Sequence, residues 1–229
     1  MLLDADDQFA SDCSDKKRPL IAVWGDSTAA ALTPGLRHAQ KQRNFGLAQF
    51  TVSSCPPLLV NVHSMSELCI ERNKKIVDLI GSISPQTVIL HAIWDNNDTV
   101  ESTRPTIDAL RAKGVKNIVI LGPVPVWPGG ITNAYATYYR RTGALLPERT
   151  SLFVAPTSAD ERMSEIANIL DVRYISARSA LCNDSGCLTR VGTEPLVADA
   201  LHLTEAGSNI LADAVVSKLS ALARIETQE

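Results

Sequence analysis

PLIAVWGDSTAAAL, residues 19–32, runs from an unbroken apolar segment through Gly-Asp-Ser into a stretch of small helix-forming residues. An apolar run with no polar alternate marks a strand covered on both faces, the pattern of a parallel sheet. The glycine supplies the turn, and the alanines after it favour a helix. The segment therefore reads as the first β/α unit of an α/β fold. Ser27 admits two readings here. It caps the helix, as serine commonly does, or it is a nucleophile held at a helix N-terminus whose positive end favours developing negative charge. The stretch alone does not choose between them.

Outward from this unit the same rhythm recurs. LAQFTV (47–52), TVILHA (87–92), NIVILG (117–122) and VRYIS (172–176) alternate with helix-length segments at 28–43, 65–80, 99–113, 158–170 and 204–223. In the last segment Leu211, Val215, Leu219 and Leu222 recur at helical spacing and predict one face packed on the sheet. One region breaks the alternation. Between LGPVPVWPGG (121–130) and residue 158 lies a long stretch rich in Pro, Gly, Tyr and Arg, the composition of a lid or binding loop. Within it Tyr135, Tyr138, Tyr139 and Arg140 form either an amphipathic surface helix or a glycan-contacting face.

The chain has 229 residues, enough for one α/β domain or two small ones. With 45% hydrophobic and 21% charged residues the composition is that of a globular chain, and a net charge of −3 with scattered Lys and Arg argues against a nucleic-acid surface. No apolar stretch approaches the roughly 20 residues of a membrane span. Residues 1–17 have neither the basic start nor the apolar middle of a signal peptide. They read as a flexible leader or linker ahead of a domain over 18–229, so work outside the cytoplasm would need delivery by some other segment.

The cysteines suggest such a location. Cys55 and Cys69 are fourteen residues apart, and Cys182 and Cys187 flank an Asn-Asp-Ser-Gly turn that brings two sulfurs within reach. A metal site competes, but there is no Cys-x-x-Cys and no Cys/His cluster. Two disulfides are predicted, with an oxidising compartment and Cys13 left over.

Ligands of open parallel sheets sit beyond the carboxyl ends of the strands. That rim collects Gly25, Asp26 and Ser27, then Ser53, Ser54 and Cys55, then Trp94 to Asn97. A serine nucleophile needs a base. His38 falls on a solvated helix face, His63 in an unmarked loop, and His91 inside the third strand as a satisfied core residue. His202 stands ahead of the last helix, three residues after Asp199 and two before Thr204, a candidate cap. In an Asp-x-x-His loop the carboxylate accepts from Nδ1–H, which fixes the tautomer whose Nε2 takes a proton.

Together, GDS (25–27) and DALH (199–202) resemble the first and last signature blocks of the SGNH (GDSL-like) hydrolases. More closely, GDSTAAALTPGL, SSCPPLL, VILHAIW, VILGPVPVW, LCNDSGC and DALHLTEAG resemble, in that order, the SGNH domains fused to the C-terminal side of membrane acyltransferase-3 proteins. Those proteins O-acetylate cell-surface polysaccharides such as lipopolysaccharide O-antigen. The likeness runs from about residue 18 to 224. It implies a three-layer, flavodoxin-like α/β/α sandwich with a five-stranded parallel sheet. It also implies Ser27 as nucleophile, His202 as general base and acid, Asp199 orienting it, and the Ser27 backbone N–H in the oxyanion hole, with neither metal nor cofactor.

The sequence departs from the wider family at two blocks. Ser54 stands nearest the second-block glycine, and IWDNND replaces Gly-x-Asn-Asp at the third. Trp94 matches the tryptophan familiar there in the fused domains, while Asn96 or Asn97 offers an amide. The implied activity is that of a periplasmic or otherwise extracytoplasmic domain. It would take an acetyl group from a donor, by way of a membrane acyltransferase-3 domain upstream or as partner, and pass it through acetyl-Ser27 to a glycan acceptor. A free-standing periplasmic carbohydrate esterase and a catalytically weakened glycan-binding module are the alternatives. Anion binding at the first helix lacks a glycine-rich loop.

Overall fold

The computed structural model of the protein describes residues 3–4, 9, 13–62, 65–94, 98–156 and 158–226, with backbone alone from residue 220. In chain order the elements begin with β1 (Leu20–Gly25), α1 (Ser27–Ala39), β2 (Gly46–Thr51), α2 (Glu67–Ile83), β3 (Thr87–His91), α3 (Val100–Ala112) and β4 (Asn117–Leu121). They continue with α4 (Ile131–Thr142), β5 (Arg149–Thr150), α5 (Ala159–Ile169), β6 (Arg173–Ile175) and α6 (Ala177–Leu181). Last come the short strands β7 (Cys182–Asn183), β8 (Gly186–Leu188), β9 (Arg190–Val191) and β10 (Glu194–Pro195), and helix α7 (Glu205–Glu226). The chain divides into two compact units, one of residues 1–30, 40–123 and 158–176, the other of 31–39, 124–157 and 177–229.

The first unit holds the five-stranded sheet, ordered β2-β1-β3-β4-β6 with every pairing parallel. Each expected apolar run supplies one strand. Alternate residues Ala22, Trp24, Phe50, Leu90 and Ile120 share a core with Ile76 and Ile80 of α2, Ile107 and Leu110 of α3, and Met163 and Ile166 of α5. Burying one such side chain contributes about 1.5–3 kcal/mol. The intervening residues Val23, Leu47, Ile89 and Val119 are fully buried as well. The sheet is thus covered on both faces, as in a three-layer α/β/α sandwich.

Local chemistry sets the helix limits. The Ser66 side chain accepts from Cys69 N–H to start α2, and Thr99 and Ser102 form a reciprocal capping box at α3. The first helix, expected to reach residue 43, ends at Ala39. Gln40 instead turns its amide to the Phe45 carbonyl and to Asp15. The described residues ahead of β1 lie along the edge strand β2. Leu3 bridges Val52, Ser14 bridges Ala48, Asp15 accepts from Leu47 N–H, and Phe9 packs edge-on against Phe50.

In the second unit β5, β8 and β7 form an antiparallel sheet and β9 pairs with β10. The stretch that broke the alternation contains α4, which buries Ile131 and Ala134 while leaving Tyr139 and Arg140 exposed. Tyr135 is tied down, its hydroxyl donating to the Thr189 carbonyl. Leu211 and Val215 of α7 are fully buried, as their spacing requires; Leu222 lies beyond the described side chains. Both expected disulfides are present, Cys55–Cys69 and Cys182–Cys187, and Cys13 is unbridged.

Candidate active site

In the first unit, register aligns the strand ends. Gly25 pairs with Thr51 on one side and His91 on the other, and His91 pairs with Leu121. The segments that follow, carrying Ser27, Ser54 and Trp94, therefore leave from one edge of the sheet. Only glycine fits at position 25, because a Cβ there would stand 1.7 Å from the His91 carbonyl oxygen.

Asp26, and not Ser27, caps α1. Its carbonyl accepts from Ala30 N–H, and its Oδ1 accepts from the Thr28 N–H at 2.8 Å and the Thr28 hydroxyl at 2.7 Å. Its Oδ2 accepts from Ile93 N–H at 2.9 Å, which ties the turn after β1 to the segment after β3. Ser27 is then the first helical residue, half-buried at the helix N-terminus.

Ser54 is exposed with φ 52°, a left-handed backbone that favours glycine. A residue that sequence reasoning passed over supports its loop. Asn73 of α2, fully buried, donates to the Pro56 and Leu58 carbonyls at 2.7 and 2.8 Å and accepts from the Trp24 indole at 3.2 Å. A polar residue on the buried face of α2 was the available signal.

Trp94 is buried, and its indole N–H donates to the Leu121 carbonyl at 2.7 Å. The same carbonyl faces His91 Nδ1 at 3.1 Å. Burial pulls the His91 imidazole below its ordinary pKa, against the opposing pull of the Leu121 carbonyl and the Asp26 charge. The residue is therefore a neutral core histidine. It is satisfied at one ring nitrogen only, since Nε2 has no hydrogen-bond partner among the described residues. Asn96, Asn97 and His63 lie outside the described residues.

The second unit holds the candidate acid–base pair, Asp199 and His202. Val197 bridges Leu203 and Ala198 N–H donates to the His202 carbonyl, closing a loop with Asp199 near its tip. Asp199 Oδ1 accepts from the N–H groups of Leu201 and His202, each at 2.9 Å, and Oδ2 lies 2.7 Å from His202 Nδ1. Partial burial pushes the Asp199 carboxyl up, but the two backbone N–H groups and the imidazole outweigh it and bring the pKa to about 2. Thr204 caps α7 as expected, accepting from Gly207 N–H.

A family model described as the SGNH domain fused to AT3 domains matches residues 3–217. Among solved structures the chain is similar to the lipopolysaccharide acetyltransferase periplasmic domain of Salmonella ser. Paratyphi A. The two are 28% identical over 90% of this chain and 85% of that one, with a TM-score of 0.81. A carbohydrate acetylesterase from Sinorhizobium meliloti is 12% identical over 89% of this chain and 99% of that chain, with a TM-score of 0.51. An aryl esterase of M. smegmatis is likewise 12% identical, over 89% and 99%, with a TM-score of 0.52. At that identity the likeness is one of fold. No curated protein sequence matches the chain.

Proposed function

Because the chain belongs to the family of SGNH domains that occur fused to AT3 domains, we propose that it is the extracytoplasmic domain of a polysaccharide O-acetyltransferase, working through acetyl-Ser27. His202 Nε2 takes the Ser27 hydroxyl proton as Oγ attacks the acetyl carbonyl of the donor. Collapse of the tetrahedral intermediate expels the donor's leaving group, which carries that proton away, and leaves acetyl-serine. A sugar hydroxyl of the acceptor then attacks the acetyl carbonyl, gives its proton to His202, and the proton returns to Ser27 Oγ. Water in place of the sugar gives the esterase reaction.

The observation that carries this reading is the 2.7 Å contact of Asp199 with His202 Nδ1. It fixes the tautomer in which Nε2 bears the lone pair. Asp26 supports it by taking over the capping of α1, which leaves Ser27 as the residue presented at the helix N-terminus. We assign the oxyanion hole to the backbone N–H groups of Ser27 and Ser54. Trp94 shapes the site, since its N–H already serves Leu121. The AT3 domain of the family supplies the membrane side of the reaction, bringing the acetyl group to a domain in the periplasm that modifies a surface glycan such as O-antigen.

The test uses the purified chain with a small acetyl ester, then with an oligosaccharide acceptor added. Ser27→Ala and His202→Ala each lower kcat about 10⁴-fold or more, Asp199→Asn somewhat less, and the double variant Ser27→Ala/His202→Ala is little worse than either single one. Mass spectrometry finds acetylated oligosaccharide with the native chain alone. Losses that multiply in the double variant would show that the residues do not act as a unit.

A further inference from the structure

The segment VWPGGI (126–131) has no part in the chemistry above, yet its backbone holds the loop that carries Asp199. Trp127 to Gly130 is a four-residue turn, closed by Gly130 N–H donating to the Trp127 carbonyl at 2.8 Å. Pro128 is its second residue and Gly129, at φ 77°, its third, the residue types that a type II turn selects. Gly130, at φ 88° and ψ 150°, then enters a region open in practice to glycine alone, and α4 begins.

Two N–H groups of this segment go to the Asp199 loop. Trp127 N–H donates to the Ala200 carbonyl at 2.7 Å and Ile131 N–H to the Asp199 carbonyl at 3.1 Å. The segment is itself anchored, by Ala155 N–H on the Val126 carbonyl at 2.9 Å and by the fully buried Trp127 side chain.

Side-chain packing does little to hold the acid–base pair, for the Asp199 and His202 side chains are 55% and 36% exposed. What fixes them is backbone. The carboxylate is bound to the N–H groups of Leu201 and His202, so it moves with the peptide units from 199 to 202. Those units are in turn held by the turn at 127–131. We propose that the Trp127–Ile131 turn is a positioning element for the acid–base pair, and that through the carbonyls of Asp199 and Ala200 it sets the direction in which His202 presents Nε2. This rests on the assignment of Asp199 and His202 as the catalytic acid–base pair. Trp127, Gly129 and Gly130 are its positioning residues.

The experiment compares Gly129→Val and Gly129→Asn with the native chain by three readouts. These are kcat and KM on a small acetyl ester, the His202 tautomer from imidazole ¹⁵N shifts assigned with His202→Gln, and the thermal midpoint. Valine resists the positive φ that asparagine tolerates, and an added side chain here meets only the end of the Asn133 side chain. Gly129→Val should lower kcat between about tenfold and a hundredfold with KM changed less than about twofold, and should mix the two tautomers. Gly129→Asn should retain native kcat and the Nδ1–H tautomer.

A folded Gly129→Val chain with native kcat and tautomer would overturn the proposal. So would a kcat loss that follows the thermal midpoint while the tautomer is unchanged, or one equally large for asparagine. If Gly129→Val does not fold, Gly129→Ala carries the same comparison. Should hydrolysis prove independent of Ser27, the proposed function fails, and the tautomer comparison still decides the role of the turn.

Discussion

Removing the Asp26 carboxylate should destabilise the protein by an amount that can be worked from its contacts. The side chain is 3% exposed and accepts three hydrogen bonds, two from Thr28 and one from Ile93 N–H. A hydrogen bond to a charged group is worth about 1.5–3 kcal/mol, and a buried donor left without a partner costs about 1–3 kcal/mol. Thr28 is buried, so its N–H carries the full cost in Asp26→Ala. Ile93 is 48% exposed, and water can replace part of what its N–H loses. The expected loss is about 2–4 kcal/mol for Asp26→Ala. In Asp26→Asn the amide oxygen still accepts from Thr28 while the amide nitrogen turns a donor toward a donor at Ile93, for about 1.5–3 kcal/mol. Thr28→Val removes one hydroxyl donor, for about 1 kcal/mol. Urea unfolding of the disulfide-intact chain, with an unchanged m-value, measures all three. An Asp26→Ala chain within about 1 kcal/mol of the native one would refute the account of Asp26 as the tie between the first turn and the segment after β3.

Further outcomes follow from other contacts. The Asp199 pKa of about 2 lies below its ordinary 3.8, so what this carboxylate adds to stability is present above the ordinary value and lost as pH falls through about 2. The difference in stability between the native chain and Asp199→Asn should shrink as pH falls below about 4. A ¹³C titration of the carboxyl group gives the midpoint directly. Replacing Cys55 and Cys69 by serine opens a loop of separation 14 and should cost about 3 kcal/mol, against about 2 kcal/mol for the Cys182–Cys187 pair of separation 5. Chemical denaturation compares the two. Trp94→Phe removes the indole donor to the Leu121 carbonyl, which His91 Nδ1 still faces, and should lower stability by about 1 kcal/mol while kcat on a small ester falls less than about tenfold. A loss of a hundredfold or more would place the indole in the oxyanion hole.

Part of the candidate site's geometry was legible because its pieces are local. Asp199 and His202 meet through a loop of three residues whose own N–H groups bind the carboxylate, and an Asp-x-x-His spacing encodes that geometry. Gly25 was legible as a turn. The roles of its neighbours were not. Asp26 takes the cap that serine also could have taken, because its second oxygen finds Ile93 N–H, 67 residues away. The Trp94 indole could have donated to substrate, and it is engaged by a carbonyl 27 residues on.

The five strands of the parallel sheet and the helices between them are written in the residue pattern, since unbroken Val/Ile/Leu runs and helical spacing are properties of neighbouring residues. So are the two disulfides, whose partners lie close along the chain. The strand order β2-β1-β3-β4-β6, the register that brings three loops to one edge, the contact of His91 Nδ1 with the Leu121 carbonyl, and the hydrogen bonds from Trp127 and Ile131 N–H to the Asp199 loop came from the fold. Each of these is a pairing of backbone or buried polar groups distant in sequence. Any carbonyl or N–H offers the same chemistry to such a pairing, so the choice among them is made by packing and leaves no mark in residue type.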